Sequence, residues 1–377
     1  MVVHTAFRPF FLAAAAFASV GVPLLIAALS FDLGFRPALP VFVWHGHEML
    51  FGFAGAVLAG FLLTAAQVWT GQRTVSELGL VALVILWTAG RATAAGLGPS
   101  GVAAVVNLAF LPWVAVLLVR PIVRAKRYRN LPFPGLLLCL SACQLAIWGW
   151  ALGLWPFEWA QRGEWVAIDL LAAVVALISG RIIPMFTRNA LDGFKPRGTG
   201  LIDGLSVGSF IVVASVHGIG VTGWKLNILL LVAGGLSVAR MWGWGGLRAV
   251  RKAPFVAILH VGYGLLAAGF IIESIMTGVG RHVITIGGIG FLCLSMMARV
   301  TLGHTGRSLQ PPACFWPGAA LLVAAVPMRA AWSFGNASGP ATWLLISSGV
   351  AWALAFALFL VAFGRILVTP RVDGAPG

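Results

Sequence analysis

Aromatic-flanked apolar stretches of roughly 20 residues recur along the whole chain. Each is long enough to cross a bilayer's hydrocarbon core as a helix. They lack the alternating ten-residue pattern of an outer-membrane barrel strand. The pattern predicts twelve spans, with approximate limits 9–30, 41–68, 76–95, 100–121, 133–154, 165–187, 201–219, 225–247, 254–273, 282–303, 314–331 and 341–366. The first, Pro9 to Phe31, is too long for the core of a signal peptide and shows no cleavage site, so it is expected as a retained helix. No linker is long enough for a separate soluble domain. The expected fold is all-α, a polytopic membrane bundle with residues 1–377 forming a single integral membrane domain. Twelve spans would suit two six-helix halves, but no internal sequence repeat supports that division.

Composition strengthens this picture. The chain is 60% hydrophobic and only 9% charged, with a mean hydropathy of +0.98, whereas a soluble domain averages about 25% charged residues. The net charge of +15 would suit nucleic acid, but its distribution points elsewhere. Basic residues cluster in alternate loops: Arg120 to Arg129, then Arg188, Lys195 and Arg197, then Arg248, Arg251 and Lys252, then Arg307, then Arg371. Intervening loops carry about one each, at Arg36, Arg162, Lys225, Arg281 and Arg329. This bias places both termini in the cytoplasm of a bacterial-type cytoplasmic (inner) membrane, with the bilayer rather than nucleic acid as partner. Most of the sixteen tryptophans fall at span ends, as interfacial belts do. Cys139, Cys143, Cys293 and Cys314 sit in or beside apolar runs. Cys139 and Cys143 are one turn apart and could bridge or bind metal, though burial as small hydrophobes is the preferred reading.

Seven histidines are unusual in such a chain. His45, His47, His260, His282 and His304 lie within or at the ends of spans, where an ionisable group needs a partner. Imidazoles in a helical bundle without a cysteine cluster favour haem or copper over zinc. The expected topology sorts them into an outer set (His45, His47 and His282, with His217 at its margin) and an inner set, His260 and His304. His282 and His304 are separated by roughly 33 Å of helix and cannot share one metal. One haem plus one copper, two haems, or one site plus structural histidines all fit two groups.

The segment Trp44-His45-Gly46-His47-Glu48-Met49 is the strongest signal. On a regular helix His45 shares a stripe with Met49, Gly52 and Ala56, small enough to admit another helix or a flat macrocycle. His47 faces elsewhere, toward a second metal or the water interface. Glu48 suits a proton relay, a partner to an imidazole, or a ligand. The bland alternative is an interfacial cap. In Met296 to Arg307, Met297 and His304 share a face, and Arg299 and Arg307 suit carboxylates such as haem propionates. Positive-inside arginines beside a capping histidine would look the same. Arg181 lies beside Pro184 and Met185, as kink and anchor or as a propionate contact. In Leu259 to Gly264 the glycines beside His260 would give a haem room, and Tyr263 lies one turn away as a candidate catalytic group with Glu48. No role is assigned to His4 or His217. The absence of Cys-x-x-Cys-His excludes covalent c-type attachment, leaving haem b.

These segments, with Phe7-Arg8-Pro9-Phe10-Phe11-Leu12, Gly60 to Ala65, Trp69-Thr70-Gly71, Trp87 with Gly90-Arg91, and Arg181 to Asn189, resemble the NnrS family of haem- and copper-containing membrane proteins associated with nitric oxide metabolism. The resemblance implies a twelve-helix bundle that binds haem, with copper as an optional further metal, through His45, His47, His260, His282 and His304; Met49 and Met297 are candidate soft metal donors from the sequence itself. It does not assign ligands to metals. Two functions compete. One is redox chemistry on nitric oxide or another small gas, a membrane oxidoreductase of the nitric oxide reductase type fed by an electron donor that no motif identifies. The chain has no adjacent His-His pair and no His-x-His on its tenth span, so it departs from standard haem-copper oxidases. The other is a non-enzymatic haem-based sensor, or a transporter of a metal or metal–nitrosyl species, with Glu48, Glu273 and Arg181 along a path.

Overall fold

The computed structural model describes residues 5–30, 34–96, 101–198, 200–334 and 342–374; His4 lies outside them. The helices are α1 (Phe7–Ser30), α2 (Val41–His47), α3 (Ala54–Thr70), α4 (Glu77–Gly96), α5 (Gly101–Arg124), α6 (Pro132–Ala151), α7 (Phe157–Ala190), α8 (Gly200–Gly218), α9 (Trp224–Trp242), α10 (Gly246–Lys252), α11 (Pro254–Ile275), α12 (Val279–His282), α13 (Phe291–His304), α14 (Phe315–Trp332) and α15 (Thr342–Val368). Among the described residues there is no strand, and twelve helical stretches are long and apolar enough to cross a membrane. The protein is a multi-pass helical membrane protein. Its backbone satisfies its own polar groups within each helix, as hydrocarbon demands.

Most expected limits fall within a few residues of the helices, with two informative exceptions. Helix α7 begins at Phe157, about two turns before the expected span, because Glu158, Arg162 and Glu164 lower hydropathy without breaking the helix. The expected span 225–247 ends early at Trp242, since residues 243–245 form a turn (Gly245 at φ +82°) before α10. Hydropathy does not register that break.

Two spans carry π-helical segments. Glu48–Phe53 joins α2 to α3, and Val283–Gly290 joins α12 to α13. Each begins directly after a histidine, His47 and His282 respectively. A π turn takes one extra residue, so a stripe projected at 100° per residue does not run straight through it. The expected His45, Met49, Gly52, Ala56 stripe therefore crosses a register change.

The chain divides into two compact units. The first comprises Met1–Ala167, Met297–Gly318 and Trp352–Gly377. Its second span is the most deeply buried, and α3 packs on α1 and α5. Gly60 makes the α1 contact possible: a Cβ there would lie 2.9 Å from the Phe10 Cβ. Arg8 is 2% exposed, and its Nη1 donates to the carbonyls of Leu367 (2.9 Å) and Thr369 (2.7 Å) at the end of α15. A guanidinium there satisfies carbonyls that a helix C-terminus leaves without partners. The second unit comprises Ile168–Met296 and Ala319–Ala351. Its α11 packs against α9, α10, α12 and the segment Val283–Gly290, where Gly288 admits Leu266 at 2.9 Å from the position of a Cβ.

Candidate functional sites

In the first unit the start of the π segment nucleates a buried polar network. His47 and Glu48 are both 0% exposed. His47 Nδ1 lies 2.9 Å from Glu48 Oε1. Its Nε2 receives the indole N–H of Trp148 at 3.1 Å and faces the Gln144 amide nitrogen at 3.0 Å, both from α6. An indole N–H only donates, so Nε2 is the acceptor and Nδ1 carries the proton, donating it to Glu48. Both imidazole nitrogens are thus engaged, and His47 presents no lone pair to a metal. Glu48 Oε2 forms an ion pair with Arg91 Nε of α4 at 2.6 Å, with the N–H aimed off the oxygen. Arg91 Nη2 donates to Asn107 Oδ1 of α5 at 2.7 Å, and Asn107 Nδ2 reaches Thr93 Oγ1 at 3.1 Å. Gly52, on the π segment, brings Arg91 Cδ within 3.1 Å of where a Cβ would be, and its carbonyl accepts Trp87 Nε1 at 2.9 Å. The array holds one acid, one cation and one neutral imidazole in contact. His45 and Met49 are half-buried beside it, and Met49 Cε lies 3.3 Å from the position of a Cβ on Gly21.

A second cluster in the same unit surrounds the end of α13. His304 is half-buried, its ring 5.6 Å from that of Phe7. Its ring nitrogens make no hydrogen bond among the described residues, while its backbone carbonyl accepts Arg371 Nη1 at 3.1 Å. Arg307 Nη2 donates to Thr369 Oγ1 at 3.2 Å. Arg307 and Arg371 both lie close enough to Arg8 to act on it as like charges, and Arg371 is itself paired with Asp373. Met297 is fully buried and Arg299 is 6% exposed. The guanidinium groups stabilise two helix ends, and the same positive field suits an anionic group beside His304.

In the second unit His260 is buried on α11. Its Nδ1 lies 3.2 Å from the Val256 carbonyl, and its Nε2 lies 3.4 Å from both the Trp244 carbonyl and Thr187 Oγ1. The Thr187 hydroxyl already donates to the Ile183 carbonyl at 2.8 Å. Every neighbour of the ring is therefore an acceptor, and a neutral imidazole keeps one lone pair that no protein donor takes. The glycines near His260 are occupied by protein: a Cβ on Gly262 would meet Leu292 Cγ at 2.7 Å, and one on Gly246 would meet His260 Cδ2 at 3.0 Å. They provide close helix packing, not a slot for a macrocycle. Tyr263 joins a different group. Its hydroxyl lies 3.4 Å from Arg240 Nη1 and 3.5 Å from Ser206 Oγ, and Arg240 pairs with Asp203 at 2.6 Å.

Other charged pairs in this unit escaped the sequence reading. His217 Nδ1 and Asp169 Oδ2 form a buried contact at 2.6 Å. Glu273 accepts from the Gly278 and Arg281 backbone N–H groups and pairs with Arg281 Nε at 3.0 Å. Asp169 lies in an apolar run, as Glu48 does, so the rule that singled out Glu48 would have found it. Arg181 and His282 are half-buried. His45 and His304 belong to the first unit, His260 and His282 to the second. Among the described residues no three His, Cys, Asp or Glu side chains converge as a metal-ion site. All four cysteines are free thiols; Cys139 is exposed and Cys143 buried.

No curated protein matches this chain at a significant level. A family model described as NnrS protein matches residues 1–371, and the chain belongs to the NnrS family.

Proposed function

We propose that this protein binds haem b and acts on nitric oxide by redox chemistry in a cytoplasmic membrane. Membership of the family implies a membrane protein related to nitric oxide. The observation that carries the cofactor is the state of one imidazole: the ring nitrogens of His304 make no hydrogen bond among the described residues, and arginines lie beside it. Haem needs only one or two axial ligands, so the proposal does not depend on a three-ligand cluster. A bound haem supplies an iron that takes a diatomic gas and exchanges electrons with it.

The chain's own groups divide the remaining work. His304, half-buried at the end of α13, would provide the axial imidazole, since the space around His260 is filled by packed side chains. Arg8 and Arg307, with Arg371 shared with Asp373, set a positive field beside His304 that suits propionates. His47 lacks an available nitrogen and acts through Glu48, to which its Nδ1–H donates a hydrogen bond. Glu48, buried against Arg91, is the carboxyl group of this network through which a proton would be relayed toward the reduction. A non-enzymatic reading rests on a separate observation. Buried acid–base pairs occur within both units, Glu48 with Arg91 in one and Asp169 with His217 in the other, as in proteins that move ions.

The test is a visible spectrum of purified protein, with nitric oxide consumption followed under a chemical reductant. A Soret band is expected, lost on His304→Ala and retained on His47→Gln and on His260→Ala. A protein that folds after expression with haem supply yet shows no Soret band overturns the cofactor. Haem that binds nitric oxide without consuming it favours sensing or transport.

A further inference from the structure

The turn between α3 and α4 and the last two turns of α5 enclose a cavity of about 320 Å³ within the first unit. Its walls include Arg73, Arg120 and Arg124, with Gln72 beside them and Val116 and Leu117 below. No carboxylate lines it. Arg120 and Arg124 form no ion pair among the described residues, and both are exposed. Arg73 is held in place, its Nε donating to the Val75 carbonyl at 3.0 Å and its Nη2 lying 3.3 Å from Glu77 Oε1. Val116, Arg120 and Arg124 recur every four residues and share one face of α5. Toward the helix interior that face continues into exposed apolar side chains, Val116 at 67% and Trp113 at 38% exposure. The cavity is thus cationic at its mouth and grades along one helix into a surface fit for an acyl chain.

We propose that this cavity binds the phosphate headgroup of an anionic phospholipid, whose acyl chain lies along Trp113 and Val116. Arg120 and Arg124, with no acid partner among the described residues, and Arg73, shared with Glu77, exceed what a zwitterionic headgroup requires, since its own ammonium would be repelled. Guanidinium matches phosphate oxygens in bidentate fashion. The basic-residue bias puts both loops on the cytoplasmic side, where basic pockets between membrane helices take such headgroups. Free inorganic phosphate offers the same charge but nothing for the apolar wall to hold.

The experiment uses full-length protein in neutral detergent, with bound lipid counted by native mass spectrometry after equal exposure to phosphatidylglycerol or phosphatidylcholine. A parallel arm adds millimolar inorganic phosphate. Wild-type protein is expected to retain phosphatidylglycerol about tenfold over phosphatidylcholine, with little displacement by phosphate. Arg120→Gln with Arg124→Gln should abolish the preference, whereas Arg127→Gln with Arg129→Gln, on the neighbouring loop, should keep it. Arg120→Lys with Arg124→Lys, which keeps the charge, should retain a reduced preference and guards against loss through misfolding. Equal retention of both lipids by wild-type protein, a preference unchanged in the Gln pair, or full displacement by inorganic phosphate would each overturn the proposal.

Discussion

Glu48 illustrates what a membrane interior demands of an acid. It is fully buried, and Arg91 and His47 contact its two oxygens separately. Removing one partner of such a pair leaves an uncompensated charge and is destabilising by about 3–5 kcal/mol. Arg91→Met should therefore lower the thermal unfolding temperature markedly, and adding Glu48→Gln should recover part of the loss. Static light scattering during a detergent-solubilised melt checks both; a double variant no better than the single one would deny the coupling. The polar outliers were legible in the sequence, because each is an exception within an apolar run. Their partners were not. Gln144 is 97 positions from His47, and no local pattern links the two. His217 falls in no motif, yet Asp169 holds it at 2.6 Å.

At the scale of the element, apolar runs located the spans because helix limits in a membrane follow hydrophobic length. They missed the two π segments, since neither composition nor period distinguishes an i+5 turn from an i+4 turn over six or eight residues. That omission misdirected the projected face of His45. Small residues tell more. Gly60 and Gly135 are both glycines on spanning helices, but a Cβ at Gly60 collides with Phe10, whereas one at Gly135 has nothing within 4 Å. Gly60→Val should sharply reduce the yield of monodisperse protein in fluorescence size-exclusion chromatography, and Gly135→Val should leave it near wild type. Equal yields would mean that α1 and α3 do not approach as closely as described. The glycines beside His260 follow the same logic, and there the sequence reading of an open slot gave way to packing.

At the scale of the molecule, the alternation of basic loops sets orientation. An introduced Lys126→Cys should react with an impermeant maleimide only after the membrane is opened, and labelling in intact cells would reverse the topology. The two compact units could not be anticipated, because the first is assembled from three separate stretches of chain. That discontinuity has a consequence for biogenesis. Arg8 and the Leu367 carbonyl that receives it are 359 positions apart. At a synthesis rate of roughly 5–20 residues per second, the guanidinium waits on the order of tens of seconds before its acceptors leave the ribosome. Unit 2 has its final residue, Ala351, before translation reaches Trp352, where the last stretch of unit 1 begins. The portion translated first is thus completed last. Until then the nascent chain holds a cation at the bilayer with no helix end to receive it, a state that insertion factors must shelter and membrane proteases can recognise.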